Sequence, residues 1–257
     1  MRDMHTGKVQ SSSTRASAVT GGALLAAIAG LALLAPAANA IVPLNNGDSI
    51  PLESLLAPGS DRKFQVFDKI FTLESFTSST FTPSAVTVVG FFHPTNPLEF
   101  GFDITGGFGD ASPGDGNIHE FNLQYTVEID PTFLALGYRI TDNHLIFNGN
   151  ATGAPGSFAR VDETVIDPIT GNVVGQKSVF DIVNSSGPNT TSLQDELLFA
   201  LPGYSILEIN KDVKFLAVTD SSTASASFIR QSFSQIPSPG ACAMLALTGA
   251  VVMRRRR

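Results

Sequence analysis

Tryptophan is absent from this chain, and cysteine occurs once, as Cys242. A single thiol excludes an intrachain disulfide and any zinc site built on cysteines, so stability has to come from a packed core. Basic residues are scarce in the body: residues 41–240 hold nine Lys and Arg against 22 Asp and Glu, a net charge of −13. That balance excludes nucleic acid as a partner, because phosphate contacts need Lys and Arg, and it suits a soluble, self-repelling protein. The four histidines, His5, His93, His119 and His144, form no His-x-His or His-x-x-x-His pair. No Gly-x-Ser-x-Gly nucleophile elbow and no glycine-rich phosphate loop with Lys-Ser/Thr occurs. The reading is therefore no enzyme, no catalytic residue and no cofactor.

Both ends of the chain are addresses. Residues 1–40 carry Arg2, Lys8 and Arg15, an apolar stretch from Ala16 to Ala35, and Ala38 and Ala40 at the −3 and −1 positions of a cleavage site. This is the layout of a secretory signal peptide, with signal peptidase as the implied partner. At the other end, Pro237, Ser238, Pro239 and Gly240 precede an uncharged run from Ala241 to Met253, closed by Arg254, Arg255, Arg256 and Arg257. At ~1.5 Å per residue that run covers about 20 Å as a helix, short against a hydrocarbon core of ~30 Å. Terminal arginines stay on the cytoplasmic side, which places the body outside.

Proline motif, short apolar segment, terminal arginines and a leading secretory signal together resemble the bacterial PEP-CTERM sorting arrangement. The resemblance covers about 25 C-terminal residues and implies an exosortase-like membrane enzyme as a processing partner. The chain departs from the family in having Ser238 where the family has glutamate. The implied location is the cell envelope, outer surface or extracellular space, with a transient or retained C-terminal membrane anchor. The expected organisation is thus a signal peptide over 1–40, a β-sandwich ectodomain over 41–235 and a sorting, membrane-stop segment with an apolar helix over 236–257.

The body reads as all-β. Phe121 to Ile129 alternates over nine residues with every odd position apolar, which predicts Phe121, Leu123, Tyr125, Val127 and Ile129 on one face of a half-buried strand. Shorter strand-like runs are 64–67, 70–73, 85–92, 98–104, 158–166, 173–183, 205–209, 213–218 and 224–233, with one strand within 136–147. Pro168 to Asn172 reads as a hairpin connection. Short, evenly spaced strands without a helical period indicate an antiparallel β-sandwich of jelly-roll type. Residues 41–60 read as an irregular lead-in and 106–117 as a long loop. Ser192 to Phe199 competes as a helical turn, opened by a capping serine.

Within 106–117, Asp110, Asp115 and Asn117 offer hard oxygen ligands of the kind calcium takes. The spacing is not that of an EF-hand loop, and Asp, Asn and Gly also serve turns. Two functions follow. The first is an exported structural or adhesive component of the envelope or matrix, delivered by the sorting tail. The alternative is a surface-displayed carbohydrate-binding or hydrolytic sandwich, with extracellular polysaccharide as partner. Sugar sites favour exposed Trp or Tyr. The body offers only Tyr125, Tyr138 and Tyr204, so the first reading leads.

Overall fold

The run Phe121–Ile129 forms a strand as its alternation dictates: Phe121, Leu123, Tyr125, Val127 and Ile129 are all buried, while the residues between them are partly or fully exposed. The same period repeats along most of the chain. The computed structural model describes residues 41–237. Its strands are β1 (Val42–Pro43), β2 (Ser49–Pro51), β3 (Lys63–Val66), β4 (Lys69–Ser78), β5 (Thr87–Phe92), β6 (Glu99–Gly109), β7 (His119–Ile129), β8 (Tyr138–Ile140), β9 (Asp142–Phe147), β10 (Asn150–Thr152), β11 (Phe158–Asp167), β12 (Asn172–Ile182), β13 (Thr190–Ser192), β14 (Gln194–Leu198), β15 (Ile206–Leu216) and β16 (Thr223–Pro237). The two α-helices are single turns, α1 (Leu52–Leu56) and α2 (Pro131–Ala135). Among the described residues, no helix is long and apolar enough to cross a membrane.

The strands make two sheets. The first runs β1-β3-β4-β7-β15-β11-β12-β13, and the second runs β14-β9-β16-β6-β5-β2 with β8 and β10 also paired to β16. All pairings are antiparallel except β1 with β3. The core lies between the sheets and is aromatic. Phe71 of the first sheet meets Phe102 of the second edge-on at 5.0 Å and Phe233 at 6.1 Å, and Tyr125 meets Phe102 at 5.3 Å. The edge-to-face geometry of Phe102 against Phe71 and Tyr125 adds to the burial term for these rings.

Several expectations need revision. Ser192 to Phe199 is not a helical turn. It holds β14, whose Glu196 and His144 are register partners, and pairing with β9 overrides the local capping signal. The span 136–147 holds two strands rather than one, and 205–218 is mostly a single strand, β15. The lead-in 41–60 contains β1, β2 and α1, and β6 reaches Gly109, so the long loop is shorter than expected. β16 continues to Pro237, pairing Ile236 with Arg139 and Pro237 with Tyr138, so the first residues assigned to the tail complete the sheet. The hairpin at 168–172 forms as expected. Asp167 accepts from the Ile169 N–H and the Thr170 hydroxyl, and Gly171 takes φ 73°. The signal peptide with Ala38 and Ala40, the residues Ser238, Pro239, Gly240, Arg254, Arg255, Arg256 and Arg257, and the C-terminal apolar helix lie outside the described residues.

Candidate functional site

One end of the sandwich is closed by aromatic rings. Val66 faces Lys69 across the β3–β4 hairpin, which leaves Phe67 and Asp68 as a two-residue connection. Turns this tight need a positive φ at the first central position, normally a glycine. Here it is Phe67, at φ 54°, a conformation that costs an L-residue about 1–2 kcal/mol. Ring contacts offset that cost. Phe67 stacks on Phe100 at 4.5 Å and lies 5.3 Å from Phe133 and 6.5 Å from Phe92. Phe133 is presented by α2, whose first turn is capped by the Asp130 carboxylate, and it packs edge-on against Tyr138 at 5.7 Å. Despite these contacts Phe67 keeps 49% of its surface exposed, and Leu136 beside α2 keeps 58%.

Behind the rings sits a sealed ion pair. Lys69 and Asp68 are fully buried at 3.1 Å; the Lys69 Nζ also donates to Gln235 Oε1 at 3.0 Å and lies 5.0 Å from the Phe100 ring centre. Burial pushes the Asp68 carboxyl up and the Lys69 amine down, each against the pull of the other. Asp68 Oδ2 and Gln235 Nε2 are buried without a hydrogen-bond partner.

Two groups of histidine and carboxylate lie elsewhere. On the outer face of the second sheet, Glu196, His144, Ser232, Gly101 and Phe91 are register partners across β14, β9, β16, β6 and β5. His144 Nε2 lies 3.1 Å from Asp142 Oδ1 and 3.9 Å from Glu196 Oε1. The hydrogen bond that His144 donates to Asp142 holds the His144 pKa above its ordinary value, against partial burial. Ser232 donates to Glu99 at 2.6 Å in the same face.

The second group gathers the calcium-type residues. Asp110, Asp115 and His119 bring their ligand atoms within 4.8 Å of one another. Asn117 instead folds back onto Asp115, donating its N–H at 2.7 Å and its amide at 3.0 Å. Asp110 accepts from the N–H groups of Ala217 and Ser112, and His119 Nδ1 accepts from Ala111. The carboxylates that could serve a cation are thus already used to shape the loop. His119, the first residue of β7, is nine and four residues from Asp110 and Asp115, and it meets them only because the chain bends back between 110 and 118, which no motif spacing announces.

The third feature is inside the core. Lys211, Glu163 and Lys177 are register partners on β15, β11 and β12, all inward-facing and all but buried. Each interrupts an apolar stripe: Glu163 lies between Val161 and Val165, and Lys211 between Ile209 and Val213. Asn143 of β9 and Gln231 of β16 face them from the other sheet, fully buried. Lys177 Nζ is 3.1 Å from Glu163 Oε1 and 2.6 Å from Asn143 Oδ1, and Asn143 Nδ2 donates to Glu163 Oε1 at 2.7 Å. Lys211 contacts Glu163 Oε2 and donates to Gln231 Oε1 at 2.7 Å. Burial works against the Glu163 charge, yet the two ammonium groups outweigh it and hold its pKa below the ordinary range. Burial brings Lys177 down to about 8. The Tyr125 hydroxyl is buried without a partner, and burial, with the Glu163 charge adding to it, raises its pKa well above normal.

No family model matches the chain, and no curated protein matches it. Among solved structures, the chain is similar to the carbohydrate-binding module TmCBM61 in complex with beta-1,4-galactotriose, with a TM-score of 0.28 and 13% identity over 61% of this chain and 86% of that one. It is also similar to the mannan-recognising module TmCBM27, with a TM-score of 0.27 and 10% identity over 72% and 95%. A DUF4465 family protein from Bacteroides caccae gives a TM-score of 0.23 and 13% identity over 61% and 91%. Likeness at these scores carries no information on ligand.

Proposed function

We propose that the chain is an exported, non-catalytic β-sandwich module of the cell envelope or extracellular matrix that holds polysaccharide against the aromatic end of the sandwich. The observation that carries this is Phe67: a strained backbone keeps a half-exposed ring on top of Phe100, beside Phe133 and Phe92. Strain of this kind persists where the surroundings enforce it, and it clusters at sites of function. The exposed Phe67 ring, backed by Phe100 and Phe133, suits the apolar C–H face of a sugar, while Gln65 and Asp130 at its rim supply hydrogen-bond groups. The body's net charge of −13 favours a neutral polysaccharide over an anionic one. Nearby carboxylates already hold partners: Asp68 pairs with Lys69, Asp130 caps α2 and Glu99 accepts from Ser232.

Glycan-array binding and calorimetry with the full chain test the reading. Wild type should retain a neutral polysaccharide, and Phe67→Gly should lose at least tenfold in affinity, about 1.4 kcal/mol, while relieving the strained turn. A folded Phe67→Gly protein that binds as well as wild type removes the ring plate as the site. Absence of any glycan ligand removes the reading altogether.

Export through the PEP-CTERM-like tail belongs to the same proposal. The mature protein should begin at Ile41 and lack Arg254 to Arg257. Intact mass of the exported form decides this, and a species keeping Met1 or Arg257 sinks the respective half.

A purely structural role is the second reading. It is favoured by the polar contacts that Asn143 and Gln231 make through the core to the opposite sheet, which bind nothing outside the molecule.

A further inference from the structure

The interior cluster has the parts of a self-contained condensation. Glu163 Oε1 touches both the Lys177 amine, at 3.1 Å, and the Asn143 amide nitrogen, at 2.7 Å. The same amine lies 2.6 Å from the Asn143 amide oxygen, one bond from the amide carbon. That oxygen also accepts from Gln231 Nε2. The cluster is shielded from bulk solvent, since Glu163, Lys177, Lys211, Asn143 and Gln231 are each under 5% exposed.

We propose that Lys177 and Asn143 condense, without another enzyme, into an isopeptide bond that ties β12 of one sheet to β9 of the other, with Glu163 carrying the proton. The Glu163 carboxylate takes a proton from the Lys177 ammonium, and the freed Nζ lone pair attacks Asn143 Cγ. Electrons move onto Oδ1, where the Gln231 amide stabilises the oxyanion as a preorganised donor. Glu163 then protonates Nδ2, the Cγ–Nδ2 bond breaks and ammonia leaves. The remaining proton on the new amide nitrogen passes to Glu163 and on to ammonia, so the carboxylate ends as it began and one ammonium ion is released per bond. No oxidant or co-reactant is needed. The pre-set geometry replaces a bimolecular encounter, and burial of the Lys177 amine, whose pKa is brought to about 8, raises the share of free base near neutrality.

A second amine–amide pair shares the cluster. Lys211 Nζ is 2.7 Å from Gln231 Oε1. The Gln231 amide nitrogen, however, donates to Asn143 Oδ1 and to the His144 carbonyl, not to Glu163. A departing Gln231 nitrogen has no proton source, whereas Asn143 has one. Lys211 instead contacts Glu163 Oε2 and helps keep it ionised.

This inference stands apart from sugar binding and is tested without a ligand. The purified full chain, fully denatured, should weigh about 17 Da less than its sequence in the same processed form, one ammonia lost to nucleophilic attack by the amine. Trypsin should fail at Lys177, and fragmentation should show the peptide starting at Ile140 joined to the one starting at Val161 through Lys177 and Asn143. Glu163→Gln should fold, by circular dichroism, and weigh its full sequence mass. A wild-type protein of full mass overturns the proposal, as does a folded Glu163→Gln that still carries the link. An ammonia loss mapping to Lys211–Gln231, or to a site without a joined peptide, overturns it equally. If Glu163→Gln does not fold, the wild-type peptide map decides by itself.

Discussion

Replacing Val127 by Asp tests the sandwich at its centre. Val127 is fully buried on β7, in register with Phe71 of β4 and Leu207 of β15. Losing the buried isopropyl group forfeits about 2 kcal/mol of transfer free energy. The new carboxyl has no partner there. Keeping it neutral at pH ~7 against an ordinary pKa near 3.9 costs about 4 kcal/mol. Together these reach the scale of a domain's whole stability, about 5–15 kcal/mol. Because the folded-state pKa is raised, the folded state binds the extra proton, so Val127→Asp should regain stability as pH falls from about 7 toward 4. Thr126→Asp points to the other face, between Thr72 and Glu208 in register. It should cost less than about 1 kcal/mol, mostly from facing Glu208 directly. Urea denaturation of both variants at two pH values reads the difference. Equal losses, or a Val127→Asp protein whose stability does not respond to acid, would refute the reasoning.

His144 should titrate above its ordinary range in a ¹H–¹⁵N NMR titration, and Asp142→Asn should lower the midpoint, because the Asp142 hydrogen bond is the largest cause of the raised value. Its stabilising contribution is complete below about pH 6.5 and fades as pH rises through the folded-state value; a midpoint at or below the ordinary one counts against the pair. Calcium and chelator should leave the melting temperature unchanged, since the Asp110 and Asp115 carboxylates are engaged by N–H groups of their own loop and of Ala217. A rise of several degrees at a hundredfold excess over Kd, worth about 2.7 kcal/mol, abolished by Asp115→Ala, would establish a cation there.

The sheet was legible in the sequence wherever one face meets the core and the other meets solvent, because such strands print a period of two. β7, β11 and the early part of β16 follow it. The chain hides what depends on distant partners. β14 sits in a Ser-x-x-Asp/Glu context that reads as a helix start until β9 pairs with it. The Phe67 turn carries no glycine, so nothing local announces a two-residue hairpin loop, and the ring's setting depends on Phe92, Phe100 and Phe133 arriving from elsewhere. Glu163, Lys177 and Lys211 stand at inward positions, but a single charge in an apolar stripe looks the same as an edge or a bulge. Only the pairing of β15, β11 and β12 shows that the three meet. His119 comes within reach of Asp110 and Asp115 because the bend at 110–118 returns the chain onto its own start.

Among the described residues β16 is the longest strand, and it lies inside its sheet, bonded to β6 along one edge and to β8, β9 and β10 along the other. It is also the segment from which the chain continues toward its arginines. Any pull on that continuation is applied along the strand axis. Antiparallel hydrogen bonds stand perpendicular to that axis, so tension shears many of them together instead of peeling them singly. A load applied at the end of β16 would act on the module in the direction in which a sheet yields least.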